Sequence, residues 1–326
     1  MTTQVLKAEN ITEAVQFLHS GELVAFPTET VYGLGARVFD ESAVRRIFVA
    51  KGRPSDNPLI VHCAEKADVI SVSEPLPSRQ QGLFDALYEA FCPGALTVLL
   101  PKHSSVSEVV TAGLETLAVR FPAHPVAQAL IRAVGEPLVA PSANRSGYPS
   151  PTTARHVLDD LSGRIAAVID GGVCAVGIES TVVNILTESL TILRPGSITK
   201  EQLDRVALAQ GFQPFVYASG KESGKNNAPL SPGMKYRHYA PNACVLLASS
   251  LEEASVLATI NSPALILARP EYADGASIHA LSEQSLYGAL RNADDEGFRA
   301  VILVCDDAIQ NNIALMNRIS KAASKQ

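Results

Sequence analysis

Apolar residues recur along this chain at two periods, and the elements begin and end where the period changes. Ile11, Ala14, Val15 and Leu18 share one helical face. Asn10 stands where it can cap that helix, Glu13 follows at capping-box spacing, and Gly21 closes it. Leu23 to Phe26 is a short apolar strand stopped by Pro27. Asp40 to Ala50 predicts a second helix that runs straight into Lys51-Gly52-Arg53. The same reading predicts strands at 59–63, 96–100, 117–121 and 138–140, with helices at 81–91, 125–134 and 152–161. Strands at 166–169, 181–185 and 190–193 follow. Several successive strands late in a mixed pattern predict an α/β open sheet of mixed direction.

Between about Gly211 and Asn242 the periodicity fails. Ser219 to Asn227 has linker composition. Ser231 to Pro241 differs, setting Tyr236, Tyr239, Lys235, Arg237 and His238 between prolines. Beyond it, 244–248, 251–260, 264–267, 283–292, 300–304 and 308–322 alternate strand and helix, predicting a smaller doubly wound α/β domain. No Gly-x-Gly-x-x-Gly loop follows its first strand, so no dinucleotide is assigned to it. The predicted division is 1–210, a linker over 211–242, and 243–326.

Composition narrows the function classes. With 326 residues, 47% hydrophobic and 18% charged, the chain can bury ordinary cores. Net charge is −6. Residues 1–242 hold 21 Lys and Arg against 23 Asp and Glu, and residues 243–326 hold 6 against 10. Neither half is a nucleic-acid binder by bulk charge, although a local basic cleft is compatible with these totals. Five cysteines, Cys63, Cys92, Cys174, Cys244 and Cys305, form no Cys-x-x-Cys pair and read as reduced, mostly buried thiols. The seven histidines lack metal-ligand spacing. No signal segment opens the chain, and no apolar run approaches the roughly 20 residues that span a bilayer. The expectation is a cytoplasmic protein with no membrane partner.

Chemistry-bearing residues gather at loops and strand ends, where a regular scaffold presents them. Pro27-Thr28-Glu29-Thr30-Val31-Tyr32-Gly33-Leu34-Gly35 alternates Thr28, Thr30 and Tyr32, which would project to one side if extended. Gly33 and Gly35 permit close approach or positive φ. A bulge with surface hydroxyls explains this segment equally well. In Lys51 to His62, helix-end cations suit the dipole, but that does not account for Asn57 and His62 beyond two prolines. Lys51 and Arg53 are spaced to grip phosphate or carboxylate, without a Walker loop. Arg120 sits inside an apolar strand and needs an anionic partner, structural or ligand. Ser142-Ala143-Asn144, Gly177 to Thr181 and Arg194-Pro195-Gly196 likewise sit at strand ends. Together they supply hydroxyls, amides and cations with no nucleophile–base pair. That suits an anionic, phosphate-bearing substrate handled by positioning and electrostatics.

These motifs, with Pro93-Gly94, Arg120-Phe121-Pro122 and Glu179-Ser180-Thr181-Val182, resemble the long, two-domain YrdC-type threonylcarbamoyl-AMP synthases over essentially the whole chain. The resemblance implies a YrdC-like twisted open mixed sheet with a smaller Rossmann-like C-terminal domain. It implies a nucleotidyltransferase that makes threonylcarbamoyl-AMP and pyrophosphate from L-threonine, bicarbonate or CO2, and ATP. The product would serve N6-threonylcarbamoylation of adenosine 37 in tRNA. Mg2+ would accompany ATP, with no organic prosthetic group. Carried over residue by residue, Thr30, His62, Arg120, Ser142 and Ser180 would hold threonine. Arg53, Asn57, Thr116, Asn144, Thr152 and Arg194 would surround ATP. Lys51, Arg53 and Ser142 would act at the reacting atoms. His238 and Tyr239 would close over the nucleotide, making 211–242 a lid. A downstream tRNA threonylcarbamoyltransferase complex would take the product, with a passing tRNA contact.

Two rivals differ in class. An RNA-binding module with a basic concave face conflicts with the charge balance and with the small-molecule character of the polar set. A carbamoyl-adenylate-forming carbamoyltransferase would carry extra zinc-finger, acylphosphatase or kinase-like domains, for which this chain has neither the cysteines nor the length.

Overall fold

The structure is a computed structural model that describes residues 2–219, 229–231 and 239–324. The first sheet takes its elements in the order β1 Gln4–Lys7, α1 Ile11–His19, β2 Val24–Phe26, β3 Gly33–Arg37, α2 Glu41–Lys51 and β4 Ile60–His62. There follow α3 Ser78–Phe91, β5 Leu96–Pro101, α4 Glu108–Thr111, β6 Thr116–Arg120, α5 Pro125–Val134 and β7 Leu138–Val139. Then come α6 Ala154–Leu161, β8 Ala167–Asp170, β9 Thr181–Asn184, β10 Thr191–Arg194, α7 Lys200–Ala209 and β11 Val216–Tyr217. The sheet order is β1-β8-β2-β3-β7-β4-β6-β5-β9-β10-β11. Direction is mixed: β4 runs parallel to β6, β6 antiparallel to β5, and β5 parallel to β9.

The second sheet has β12 Cys244–Ala248, α8 Leu251–Ile260, β13 Ala264–Ala268, β14 Ile278–Ala280, α9 Leu286–Asp295, β15 Ala300–Val304, α10 Asp307–Asn311 and α11 Ile313–Ala323. It is wholly parallel, in the order β12-β15-β13-β14. The sequence reading missed β1, β3, α4, α7, β11 and β14. Each is short or lies among glycines and polar residues, except α7, whose Thr199–Gln202 capping box is legible. The single helix expected over 308–322 is two, divided where Asn312 caps α11. Asn10 makes no side-chain cap bond, so the expected capping box at α1 is not formed. Cys244, expected in a buried run, is exposed on the edge strand β12.

Strand period decides which residues reach which side. Leu59, Val61 and Cys63, then Leu117, Val119 and Phe121, then Leu96, Val98 and Leu100 all enter the large core. That core is completed by α2, α3, α6 and α7 through Ile47, Leu87, Leu161 and Leu203. A separate core lies under α1 and α5, where Leu18 and Leu130 meet Val24 and Phe26. The intervening residues of β4, β5, β6 and β9 therefore face away from the large core. On that face lie His62, Thr97, Arg120 and, just before β9, Ser180.

Candidate active site

The register brings these four together. His62 pairs with Arg120, and Arg120 with Thr97. Thr97 Oγ1 then shares a 2.7 Å hydrogen bond with Ser180 Oγ. His62 and Arg120 floor a cleft holding about 610 Å3 of open space, its mouth included, with Thr97 and Ser180 buried behind them. Its walls are Thr28, Val31 and Gly33, then Arg53, then Ser142, Asn144 and Ser150, then Glu179, Arg194 and Tyr239.

Arg120 is almost fully buried. Its guanidinium donates to Thr30 Oγ1 at 2.7 Å, to Glu29 Oε1 at 2.6 Å and to the Gly94 carbonyl at 3.4 Å. A guanidinium has five N–H groups, so donors remain for a second anion. Burial, then the charge of Arg120, pushes His62 down to about 3, so its imidazole is neutral at physiological pH. Pro27 to Tyr32 does not extend as the alternation suggested. Thr28 Oγ1 accepts from the Thr30 and Val31 N–H groups and turns the chain. Tyr32 instead sends its hydroxyl to the Gly172 carbonyl at 2.8 Å. Gly35 does provide close approach: a Cβ there would lie 2.8 Å from Phe26.

Lys51 ends α2, buried behind the cleft wall rather than in it. Its ammonium donates to the Ser142 and Asn144 carbonyls, both at 2.5 Å. Burial, then Arg53, holds its pKa well below the usual lysine value. Ser142 Oγ donates to Asn144 Oδ1 at 2.5 Å, and Asn144 Nδ2 fastens the loop to the Arg145 and Tyr148 carbonyls. Arg53 donates to the Asn57 and Pro58 carbonyls. Asn57 is buried, and its Oδ1 has no partner among the described residues.

Of the sequence candidates, Arg53, His62, Arg120, Ser142, Asn144, Arg194 and Tyr239 line the cleft. Thr30 and Ser180 stand behind that surface, bonded to Arg120 and Arg194. Asn57 and Thr152 lie off it, Thr152 packed by His156. Thr116 opens β6 on the same face as Arg120, about 13 Å farther along the strand. His238 falls outside the described residues.

Glu179 stands in the motif Glu179-Ser180-Thr181-Val182, but the sequence assigned it no role of its own. This buried carboxylate accepts from Ser150 Oγ, from Tyr287 on α9 at 2.9 Å and from Arg318 on α11 at 2.8 Å. Burial raises it, but Arg318, Arg194 and Ser150 outweigh that and hold it at about 2. Arg318 carried a signal that was not used. It shares a helix face with Ala314, Leu315, Ile319 and Ala322, a charge at a core position.

Residues 16–196 match the Sua5, YciO and YrdC family model, described as telomere recombination. The chain belongs to that family. Residues 198–324 match a second model, the C-terminal domain of threonylcarbamoyl-AMP synthase, so the membership is of the family's two-domain kind. The chain is 43% identical to threonylcarbamoyl-AMP synthase of Bacillus subtilis, across 96% of this chain and 92% of that one. It is 40% identical to that of Pyrococcus abyssi, across 95% and 93%. The crystal structure of P. abyssi Sua5 complexed with L-threonine superposes with a TM-score of 0.87 at 36% identity, covering 99% of this chain and 98% of that one. Both sheets of this chain thus belong to the family architecture.

Proposed function

We propose that the cleft is where this chain makes threonylcarbamoyl-AMP and pyrophosphate from L-threonine, bicarbonate or CO2, and ATP, for the modification of adenosine 37 in tRNA. The observation that carries the reading is the buried Arg120, with neutral His62 and Ser180 on its sheet face and Thr30 bonded to it from the turn after β2. This set suits a small zwitterion: a guanidinium for the carboxylate, with hydroxyls and an imidazole for the side-chain hydroxyl.

The amine of bound threonine adds to CO2 and gives up a proton, leaving a carbamate. A carbamate oxygen attacks the α-phosphorus, the bond to the β-phosphate oxygen breaks, and pyrophosphate leaves. Such a displacement asks for alignment and charge neutralisation. Arg53 and Arg194 supply the charge. Lys51 holds the Ser142–Asn144 loop in place. Asn57, Thr116, Asn144 and Thr152 mark the nucleotide side. Among the described residues, no three His, Cys, Asp or Glu side chains are grouped to hold a metal. Glu179, the carboxylate in the cleft wall, is already bonded by Arg318, Tyr287 and Ser150. A resident magnesium does not fit this set, and Mg2+ belongs with the ATP phosphates as part of the substrate.

Residues 1–210, extended through β11, form the catalytic unit, 243–326 the second domain, and the rest of 211–242 a lid that brings Tyr239 and His238 over the nucleotide. Tyr239, a buried lining residue at the end of that segment, supports the lid. The product passes to a tRNA threonylcarbamoyltransferase complex in the cytoplasm, with a passing tRNA contact. No helix among the described residues is long and apolar enough to cross a membrane. The test is pyrophosphate release from ATP and bicarbonate with each amino acid in turn. Release with threonine above all others is expected; none with threonine overturns the reading.

A further inference from the structure

One side chain of the second domain grips the cleft wall at Glu179 and the loop beside Arg194 without lining the cleft. Arg318, fully buried on α11, donates Nε to Glu179 Oε2 at 2.8 Å, Nη2 to the Glu179 carbonyl at 3.0 Å and Nη1 to the Pro195 carbonyl at 2.7 Å. Its guanidinium carbon lies 5.9 Å from the centre of the Tyr239 ring. Glu179 adjoins Ser180 and Pro195 adjoins Arg194. Those two neighbours are themselves joined, Arg194 Nη2 to Ser180 Oγ and Nε to the Ser180 carbonyl, each at 3.1 Å.

We propose that Arg318 is a positioning residue for the reaction: its guanidinium fixes Glu179 and Pro195, and through them sets Ser180 and Arg194 against the bound threonine and nucleotide. The proposal rests on the function proposed above and extends it across the domain boundary. Two features separate it from a plain domain staple. The planar fork is spent on two backbone carbonyls of two different loops as well as on a carboxylate, which one ammonium cannot reproduce. Arg318 also offsets the charge of Glu179, which otherwise faces an anionic substrate from the wall. A staple serving stability alone has no need of a buried ion pair, because apolar packing does as well.

The experiment compares unaltered protein with Arg318→Lys, following melting temperature, threonine affinity by calorimetry, and kcat and KM for pyrophosphate release well below melting. A tenfold or greater rise in threonine Kd and KM, with a tenfold or greater fall in kcat in a folded variant, is expected. Unchanged kinetics and affinity in that folded variant overturn the proposal and leave Arg318 a staple. Should Arg318→Lys not fold, Glu179→Asp carries the test, since it withdraws the carboxylate by one methylene and keeps both charges. A folded Glu179→Asp protein with unaltered threonine KM and kcat also overturns it. If unaltered protein binds threonine but releases no pyrophosphate, the functional reading falls and this proposal with it. If unaltered protein is active and the variants equally so, this proposal alone falls.

Discussion

Arg120 shows how one residue serves fold and site together. Its strand position is buried on the cleft face of β6, and Glu29, Thr30 and the Gly94 carbonyl make a charge tolerable there. Lysine keeps the charge but cannot span three acceptors and still face a ligand. Arg120→Lys is expected to weaken threonine binding about tenfold or more, roughly 1.4 kcal/mol, with a smaller effect on ATP. Unchanged calorimetric affinity in a folded variant would make Arg120 structural only. The buried ionisable groups also set an acid limit. His62 titrates near 3 in the folded chain against 6.5 when free, so between those values the unfolded chain holds the extra proton. Stability therefore falls as pH drops below about 6.5. Glu179, at about 2 against 4.5, acts in the same sense: its contribution is whole above about 4.5 and fades toward 2. His62→Gln should remove up to about 1.4 kcal/mol per pH unit from the slope between 6.5 and 4.5. His124 and His156, also held low by burial, keep the remainder. Denaturant midpoints against pH read this directly, and an unaltered slope in the variant refutes it.

At the scale of elements, the site depends on strand ends and tight turns more than on helices. Gly177, at φ +86°, lies where a Cβ would fall 2.5 Å from Gln284 Cα and 2.6 Å from the Glu283 carbonyl, both in the second domain. Gly52 ends α2 with a left-handed φ of +61° and open space around it. Gly52→Ala should cost only backbone strain, about 1–2 kcal/mol. Gly177→Ala adds a collision between two backbones to the same strain and should cost clearly more. Chemical denaturation of both variants checks this, and equal costs would mean that the domains slide apart easily. The sequence shows both glycines alike. What separates them is a neighbour more than a hundred residues away.

At the scale of the molecule, the two sheets share one polar seam. Arg291 of α9 donates to Asp160 at 2.7 Å and to the Pro149 carbonyl at 2.5 Å, gripping the loop that carries Asn144 and Ser150. Arg318 grips the loops that carry Ser180 and Arg194. Val31 and Ile178 of the first domain pack in one apolar cluster with Leu286, Tyr287 and Leu315 of the second. Truncation after Ala218 keeps the first sheet through β11 but strips Glu179 and Asp160 of their arginines. It also uncovers Val31 and Ile178, which the second domain buries. The truncated chain is expected to lose at least tenfold in pyrophosphate release and to melt lower. Full activity would show that the second domain serves something other than the chemistry.

The sequence determined much of this by itself. Apolar period fixed most helices and strands, because a buried face needs a repeat that matches its geometry. It also singled out Arg120, Lys51 and Ser142, because a charge in an apolar strand and hydroxyls at strand ends stand out locally. It did not show that His62 and Arg120 share a face. That took the parallel register pairing them. Other outcomes came from tertiary structure alone. Pro27 to Tyr32 turns instead of extending, with Glu29 and Thr30 held by Arg120 from β6. Lys51 lies behind the cleft because the Ser142 and Asn144 carbonyls take its ammonium. Glu179 and Arg318 are 139 residues apart, and no local pattern joins a carboxylate before one strand to a guanidinium on the last helix. Burial makes each require a partner, but only the docking of the two domains decides which partner it meets.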